Sequence, residues 1–191
     1  MGRKIFIFVW ELFKITVISL AIILPVRYYL IQPFYVRGAS MEPNFYNHEY
    51  LIVDQISYRF REIERGEVVV FRYPRNPQEH FIKRVIALPS ESIEIKQGDV
   101  YIYNEKNPQG ISINEPYLDE KYLSNYSSEG RIDLQDNEYY VLGDNRGSSK
   151  DSRNFGPLKQ EFITGRVLLR GLPINRATMF NEIPMYEGVD F

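Results

Sequence analysis

EHFIKRVIALP, at residues 79–89, sets apolar and β-branched residues around a basic pair and ends in a proline. That is the pattern of a strand rather than of a helix. Side chains alternate along a strand, so Phe81, Lys83, Val85 and Ala87 share one face and Arg84 points the opposite way. An ammonium on an apolar face is costly unless it loses its proton. Burial lowers a lysine's pKa, and a lysine neutral near pH 7 is a usable general base. The plainer reading of Lys83 is an edge-strand charge that blocks aggregation.

On either side the signals are also those of strands. YLIVDQIS (50–57), GEVVVFRYP (66–74), ESIEIKQGDVYIYN (91–104), NEYYVLGD (137–144) and GRVLLRGLP (165–173) are short, β-branched and bounded by turn residues. They predict a mainly β fold: an antiparallel, multi-sheet or barrel-like domain. Residues 104–137 are polar and rich in turn formers, and are expected to be a surface excursion or small subdomain inserted between core strands.

The N-terminal part differs. IFIFVWELFKITVISLAIILPVR, residues 5–27, is interrupted only by Glu11, Lys14 and Pro25. As a helix, residues 5–26 extend roughly 33 Å, close to the ~30 Å of a bilayer's hydrocarbon core. Glu11 and Lys14, three apart, share a face and can pair. A buried core helix is one reading, but the hydrophobicity is not confined to one stripe. A cleaved signal peptide fits the basic start, yet no small-x-small site follows Val26 directly. The reading adopted is an uncleaved anchor over residues 7–27. Arg3, Lys4 and Lys14 keep residues 1–6 cytoplasmic, Arg27 is a weak counterweight, and residues 28–191 form an extracytoplasmic domain.

Composition narrows the chemistry. The 191 residues carry a formal net charge of −2, with no basic face for nucleic acid. Cysteine is absent, which excludes disulfides and thiolate catalysis. Only two histidines exist, His48 and His80, so a transition-metal site is not expected.

Just past the anchor lies RGASMEPNF, residues 37–45, with Ser40 in a turn between Gly38 and Pro43. A nucleophilic serine needs a base. The G-x-S-x-G elbow fails because Glu42 replaces the second glycine, and no S-x-x-K motif is present. His48, His80 and Lys83 remain as bases. Phe45, Tyr46 and Met41 are expected either to lie against a membrane surface or to pack in the core. A third stretch, GDNRGSSKDSRNFGP (143–157), is dense in opposed charges. Its spacing does not fit an EF-hand, but such a loop can hold a buried lysine through hydrogen bonds and ion pairs.

Taken in order after an N-terminal anchor, RGASMEPNF, RGEVVVF (65–71), IKRVIALP (82–89), GDNRGSSKDSR (143–153) and GRVLLRGLPINR (165–176) resemble the type I signal peptidases of bacteria, in their single-anchor, Gram-positive-like form. The resemblance implies Ser40 as nucleophile and Lys83 as general base of a Ser/Lys dyad, a chemistry that requires no cofactor. It implies that Ser149 hydrogen-bonds the lysine, that Asp151 and Arg153 support it, and that Asp144 pairs with Arg84. Gly38, Met41 and Pro43 fall in the substrate-binding and oxyanion segment. Gly38 stands where some members carry a serine or threonine hydroxyl, so the second oxyanion donor must come from elsewhere. The implied activity is removal of signal peptides from exported precursors after small-x-small sites, at the bacterial plasma membrane, with precursors and the bilayer as partners. The rivals are a non-enzymatic relative serving as a surface assembly factor or chaperone, and a soluble self-cleaving regulator, which would carry a DNA-binding domain instead of the anchor.

Overall fold

The structure is a computed structural model and describes residues 2–25 and 31–180. Helix α1 (Gly2–Pro25) is apolar all round, and its described side chains are exposed except for half-buried Ser19. Gly2–Leu24 is long and apolar enough to cross a membrane. Glu11 and Lys14 pair on it at 3.3 Å, as their spacing predicts. The Arg27 end of the expected anchor lies outside the described residues.

The remainder is built from antiparallel strands: β1 (Ile31–Tyr35), β2 (Tyr50–Asp54), β3 (Val68–Tyr73), β4 (Asn76–Ala87), β5 (Ser92–Lys96), β6 (Asp99–Tyr103), β7 (Ile111–Ser112), β8 (Ile132–Asp133), β9 (Glu138–Leu142), β10 (Leu158–Lys159), β11 (Ile163–Leu172) and β12 (Thr178–Met179). A one-turn helix α2 (Ser152–Phe155) precedes β10. The larger sheet runs β1-β2-β11-β3-β4-β9-β10, with β12 on β11. The smaller runs β7-β6-β5-β8. The mainly β expectation is met.

Strand β4 organises the larger sheet. It pairs with β3 in the register Lys83↔Val69 and with β9 in the register Arg84↔Leu142 and Val85↔Val141. Its first two-thirds, up to Lys83, has no partner on the β9 side among the described residues. The alternation read from the sequence holds through Val85. It then breaks at a register shift between Val85 and Ala87. Val85 packs with Val69, Phe71 and Val141, whereas Ala87 joins Ile86 in a different core, so Ala87 does not share the Lys83 face. A bulge adds one residue to the count and flips the faces beyond it.

That second core explains the insert. Ile86, Ala87, Tyr140 and Leu142 from the ends of β4 and β9 pack with Ile93, Ile95, Val100, Ile102, Ile113 and Leu134. The smaller sheet is centred on the hairpin β5–β6, before residue 104, and the polar stretch adds only β7 and β8 to its edges. The hairpin turns at Gln97 and Gly98, both at positive φ, and a Cβ on Gly98 would lie 2.4 Å from the Ser124 carbonyl oxygen. The two sheets therefore share apolar side chains. Ile102→Ala, in the middle of that shared core, is expected to cost ~2–5 kcal/mol. Urea unfolding followed by fluorescence and by far-UV circular dichroism is expected to show one coincident transition; two separated transitions would mean that the sheets fold independently.

Candidate active site

Ser40 sits in the turn between β1 and β2. Met41 and Phe45, each 1% exposed, anchor this turn in the core with Val36, Leu51 and Val53. Of the three residues considered for a membrane contact, these two are core, and only Tyr46 reaches the surface. The turn is closed by Glu42 N–H donating to the Ala39 carbonyl at 3.2 Å and Phe45 N–H to the Met41 carbonyl at 2.8 Å. From across the molecule, Asn145 N–H donates to the Ser40 carbonyl at 3.0 Å and Asn145 Nδ2 to the Ala39 carbonyl at 3.1 Å. Among the described residues the Ser40 N–H has no protein acceptor.

Lys83 rises from β4 with 3% exposure. Its Nζ lies 2.7 Å from Ser40 Oγ and 2.6 Å from the Ile82 carbonyl oxygen. Burial pushes its pKa down from 10.5 to about 8, against the pull of the Asp151 and Asp144 charges and with help from Arg153. A charged amine donates to Oγ across that contact; a neutral one accepts the Ser40 O–H. The histidines stand apart from this bond. His48 is exposed, stacks on Tyr35 and contacts Asn47. His80 lines the groove near Ser40, its pKa lowered by burial and by Arg72. Among the described residues neither ring hydrogen-bonds Ser40.

The loop at 143–153 surrounds the pair. Asp144 and Asp151 are both fully buried. Asp144 accepts Arg84 Nε at 2.9 Å and Nη2 at 2.7 Å, and Arg84 Nη1 donates to the Gly66 carbonyl. Asp151 accepts Arg153 Nε at 2.8 Å and Nη2 at 2.7 Å, and also Gly143 N–H at 3.0 Å. It caps α2 in a reciprocal capping box with Asn154. Burial pushes the Asp151 carboxyl up, but its hydrogen bonds and the Arg153 charge outweigh that and hold it below the usual range. The Ser149 hydroxyl is buried beside Asp151 and helps to stabilise that carboxylate. It makes no well-aligned hydrogen bond, so the expected bond from Ser149 to Lys83 is not present here. Gly143 is required by crowding: a Cβ there would lie 2.1 Å from Ser149 Oγ and 2.4 Å from the Ser40 carbonyl oxygen.

Gly38 has a different reason to be glycine. Its φ is +90°, a conformation side chains rarely adopt, although the space around it is open. Its N–H donates to Asn47 Oδ1 at 3.1 Å, so Gly38 offers neither a hydroxyl nor a free N–H to Ser40. Pro43 lines a different cleft, with Arg166 and Arg170. A groove of about 210 Å³ contains Ser40 and Lys83, with Phe34, Val36, Leu51, Val70 and Ile82 among its walls. Among the described residues no cluster of three ligating side chains is placed to hold a metal.

Sequence reasoning missed Asn44, Glu115, Tyr117 and Asn145. Asn44 Nδ2 donates to both Asp144 Oδ2 and the Tyr117 carbonyl, at 2.9 Å each. Glu115 and Tyr117 lie in the polar stretch, where no periodicity marks one residue over another.

The sequence pattern of the family "Signal peptidase, peptidase S26" matches residues 9–172. The chain belongs to this family. It is 33% identical over 187 residues to the probable signal peptidase I-2 of Synechocystis sp., a match covering 94% of this chain and 81% of that protein. It is 35% identical over 164 residues to the signal peptidase I of Bacillus amyloliquefaciens, covering 82% and 81% of the two chains. A crystal structure of a signal peptidase I from Enterococcus faecalis V583 overlaps it with a TM-score of 0.46 at 30% identity, covering 56% of this chain and 97% of that one. The family match and the Synechocystis and Bacillus relatives place the chain among the bacterial type I signal peptidases.

The buried amine has a stability signature. A pKa lowered from 10.5 to about 8 corresponds to ~3 kcal/mol of destabilisation while Lys83 is charged. That penalty is full below pH about 8 and fades as pH rises toward 10.5, where the unfolded lysine also loses its proton. Lys83→Met keeps the volume and removes the charge. It is expected to be more stable than the parent at pH 6–7, with the gap closing by pH 10, as read from chemical denaturation at each pH.

Proposed function

We propose that this chain is a membrane-anchored serine endopeptidase that removes signal peptides from exported precursors. The observation that carries the reading is the 2.7 Å contact between Ser40 Oγ and the Nζ of a buried Lys83. Neutral Lys83 takes the Ser40 proton as Oγ attacks the scissile carbonyl carbon. The resulting oxyanion finds the Ser40 N–H, which has no protein acceptor. The C–N bond then breaks while Lys83 returns its proton to the leaving amine, leaving an acyl ester on Ser40. Lys83 next takes a proton from water, the hydroxide attacks the ester, and Ser40 recovers its proton as the free carboxylate departs. No cofactor takes part in this scheme.

The sheet supports one position for the substrate. The part of β4 before Arg84 lacks a partner on its β9 side among the described residues, and it ends at Lys83, beside Ser40. A peptide added there as a strand places the residues one and three before the bond on the same face. One groove then reads both, which agrees with the small-x-small sites that the family resemblance implies. The apolar α1 anchors the enzyme in the bilayer where precursors hold their own apolar segments, and this raises the effective concentration of each for the other. Arg3, Lys4 and Lys14 favour a cytoplasmic N-terminus, with the catalytic domain outside. A non-enzymatic assembly role has no use for a buried, pKa-shifted lysine held against a serine.

The test is cleavage of a precursor bearing an Ala-x-Ala site by the detergent-solubilised full chain. Ser40→Ala and Lys83→Ala are each expected to lower kcat/KM by a factor on the order of 10³ or more. Because the base must be neutral, kcat/KM of the parent is expected to rise with pH and level off above about pH 8. Cleavage that survives Lys83→Ala, or a flat profile from pH 6 to 9, would refute the dyad.

A further inference from the structure

We propose that Glu115, in the inserted segment, is a positioning residue that fixes the loop at 143–149 against Ser40; the proposal rests on the Ser/Lys reading above. Glu115 touches neither Ser40 nor Lys83. It acts through Arg146. Arg146 Nη1 donates to Glu115 Oε2 at 2.8 Å and Nη2 to Oε1 at 2.5 Å, with both side chains buried. The same guanidinium turns its Nε to the Gly143 carbonyl at 3.1 Å. One planar group therefore joins a residue of the insert to the backbone of the loop, and a two-pronged contact fixes rotation as well as distance.

The loop has little freedom to move without moving Ser40. Gly143 packs so tightly that a Cβ there would collide with the Ser40 carbonyl and Ser149, and Asn145 grips the carbonyls of Ser40 and Ala39. Gly143 N–H is also held by Asp151. A displaced Arg146 would shift Gly143, and with it the carbonyl of the nucleophile.

Tyr117, two residues beyond Glu115, closes a second arm. Its hydroxyl donates to Glu115 Oε1. Its carbonyl accepts Asn44 Nδ2, which also bonds Asp144. Its ring covers the Arg84 guanidinium at 3.9 Å. The insert thus presses on the nucleophile turn at Asn44 and on the loop at Arg146, and Glu115 links the two arms.

A buried ion pair adds little net stability over an apolar pair of the same volume, whereas it does impose geometry. Burial disfavours the charge on Arg146, but the Glu115 carboxylate outweighs this and holds Arg146 above its ordinary pKa, so Arg146 keeps its charge. Misplacing a reacting group by about 1 Å can reduce rate on the order of 10²-fold even when the mutation lies far from the chemistry.

The experiment compares full-length parent, Glu115→Gln, Arg146→Lys and the double variant in detergent, with exposed Glu129→Gln of the same segment as control. Kinetics on the Ala-x-Ala precursor are paired with hydrogen–deuterium exchange of peptides containing Asn145. The expected result for Glu115→Gln is a kcat about 10-fold lower or less, with KM within about twofold and faster exchange at Asn145. Arg146→Lys is expected to match it, and the double variant to be no worse than the worse single. Tyr117→Phe, which removes only the hydroxyl donated to Glu115, is the milder variant should Glu115→Gln fail to fold; it is expected to lower kcat about threefold and to loosen Asn145 in the same direction. Normal kcat in a folded Glu115→Gln or Tyr117→Phe enzyme, or unchanged protection of Asn145, overturns the proposal, even if the melting temperature falls. A parent that cleaves no precursor, while Glu115→Gln still loosens Asn145, refutes the peptidase reading and leaves the mechanical coupling standing.

Discussion

The constraint around which the molecule is organised is the burial of one amine. Lys83 lies on a strand face otherwise occupied by apolar side chains, within hydrogen-bond distance of Ser40. A buried lysine beside two buried carboxylates would ordinarily form an ion pair and keep its proton. Here each carboxylate is already taken. Asp144 is forked by Arg84 and Asp151 by Arg153, both through two nitrogens. The acids still pull the lysine's pKa upward, but at a distance and partly neutralised, and burial prevails. The arginines therefore do more than fix the loop: they keep the acids from claiming the lysine.

Much of this was legible in the sequence where a short-range rule applied. The two-residue period of a strand placed Lys83 opposite Arg84, and the structure sends one to Ser40 and the other to Asp144. Length and apolarity identified α1. The rule failed where the backbone departs from its period. The register shift after Val85 carries Ala87 into a second core, and no feature of VIALP announces a bulge. It failed again where the ordering is purely tertiary. β7, β8, β10 and β12 are two residues long and exist as strands only because a neighbouring edge offers them a ladder. Glu115 and Arg146 are 31 residues apart, and nothing local distinguishes that acid from others in a polar segment.

The same limit applied to individual roles. Ser149 lies buried within the site, but its hydroxyl makes no hydrogen bond to Lys83. Met41 and Phe45, close to Ser40 in sequence, point inward and hold the turn down. Side chains next to a reactive residue are often its foundations, because a nucleophile on a loop needs rigid packing beneath it. The insert belongs to that foundation. Its core is continuous with the ends of β4 and β9, so the polar stretch that looked peripheral is attached to the two strands from which Lys83 and the loop at 143–153 emerge.

A pKa of about 8 is a compromise that this arrangement makes intelligible. At pH 7 most of the lysine is protonated in the free enzyme, and its pKa is still high enough for strong proton affinity. Deeper burial would raise the neutral fraction but weaken the base, since proton-transfer driving force falls with pKa. The edge of β4 before Arg84, unpartnered on its β9 side among the described residues, offers a way past this trade. A substrate strand laid along it would cover the groove, expel water from around Nζ and disfavour the ammonium further. The base would then be readied by the arrival of the peptide it serves, and the unbound enzyme would retain a mostly protonated lysine and a quiet serine.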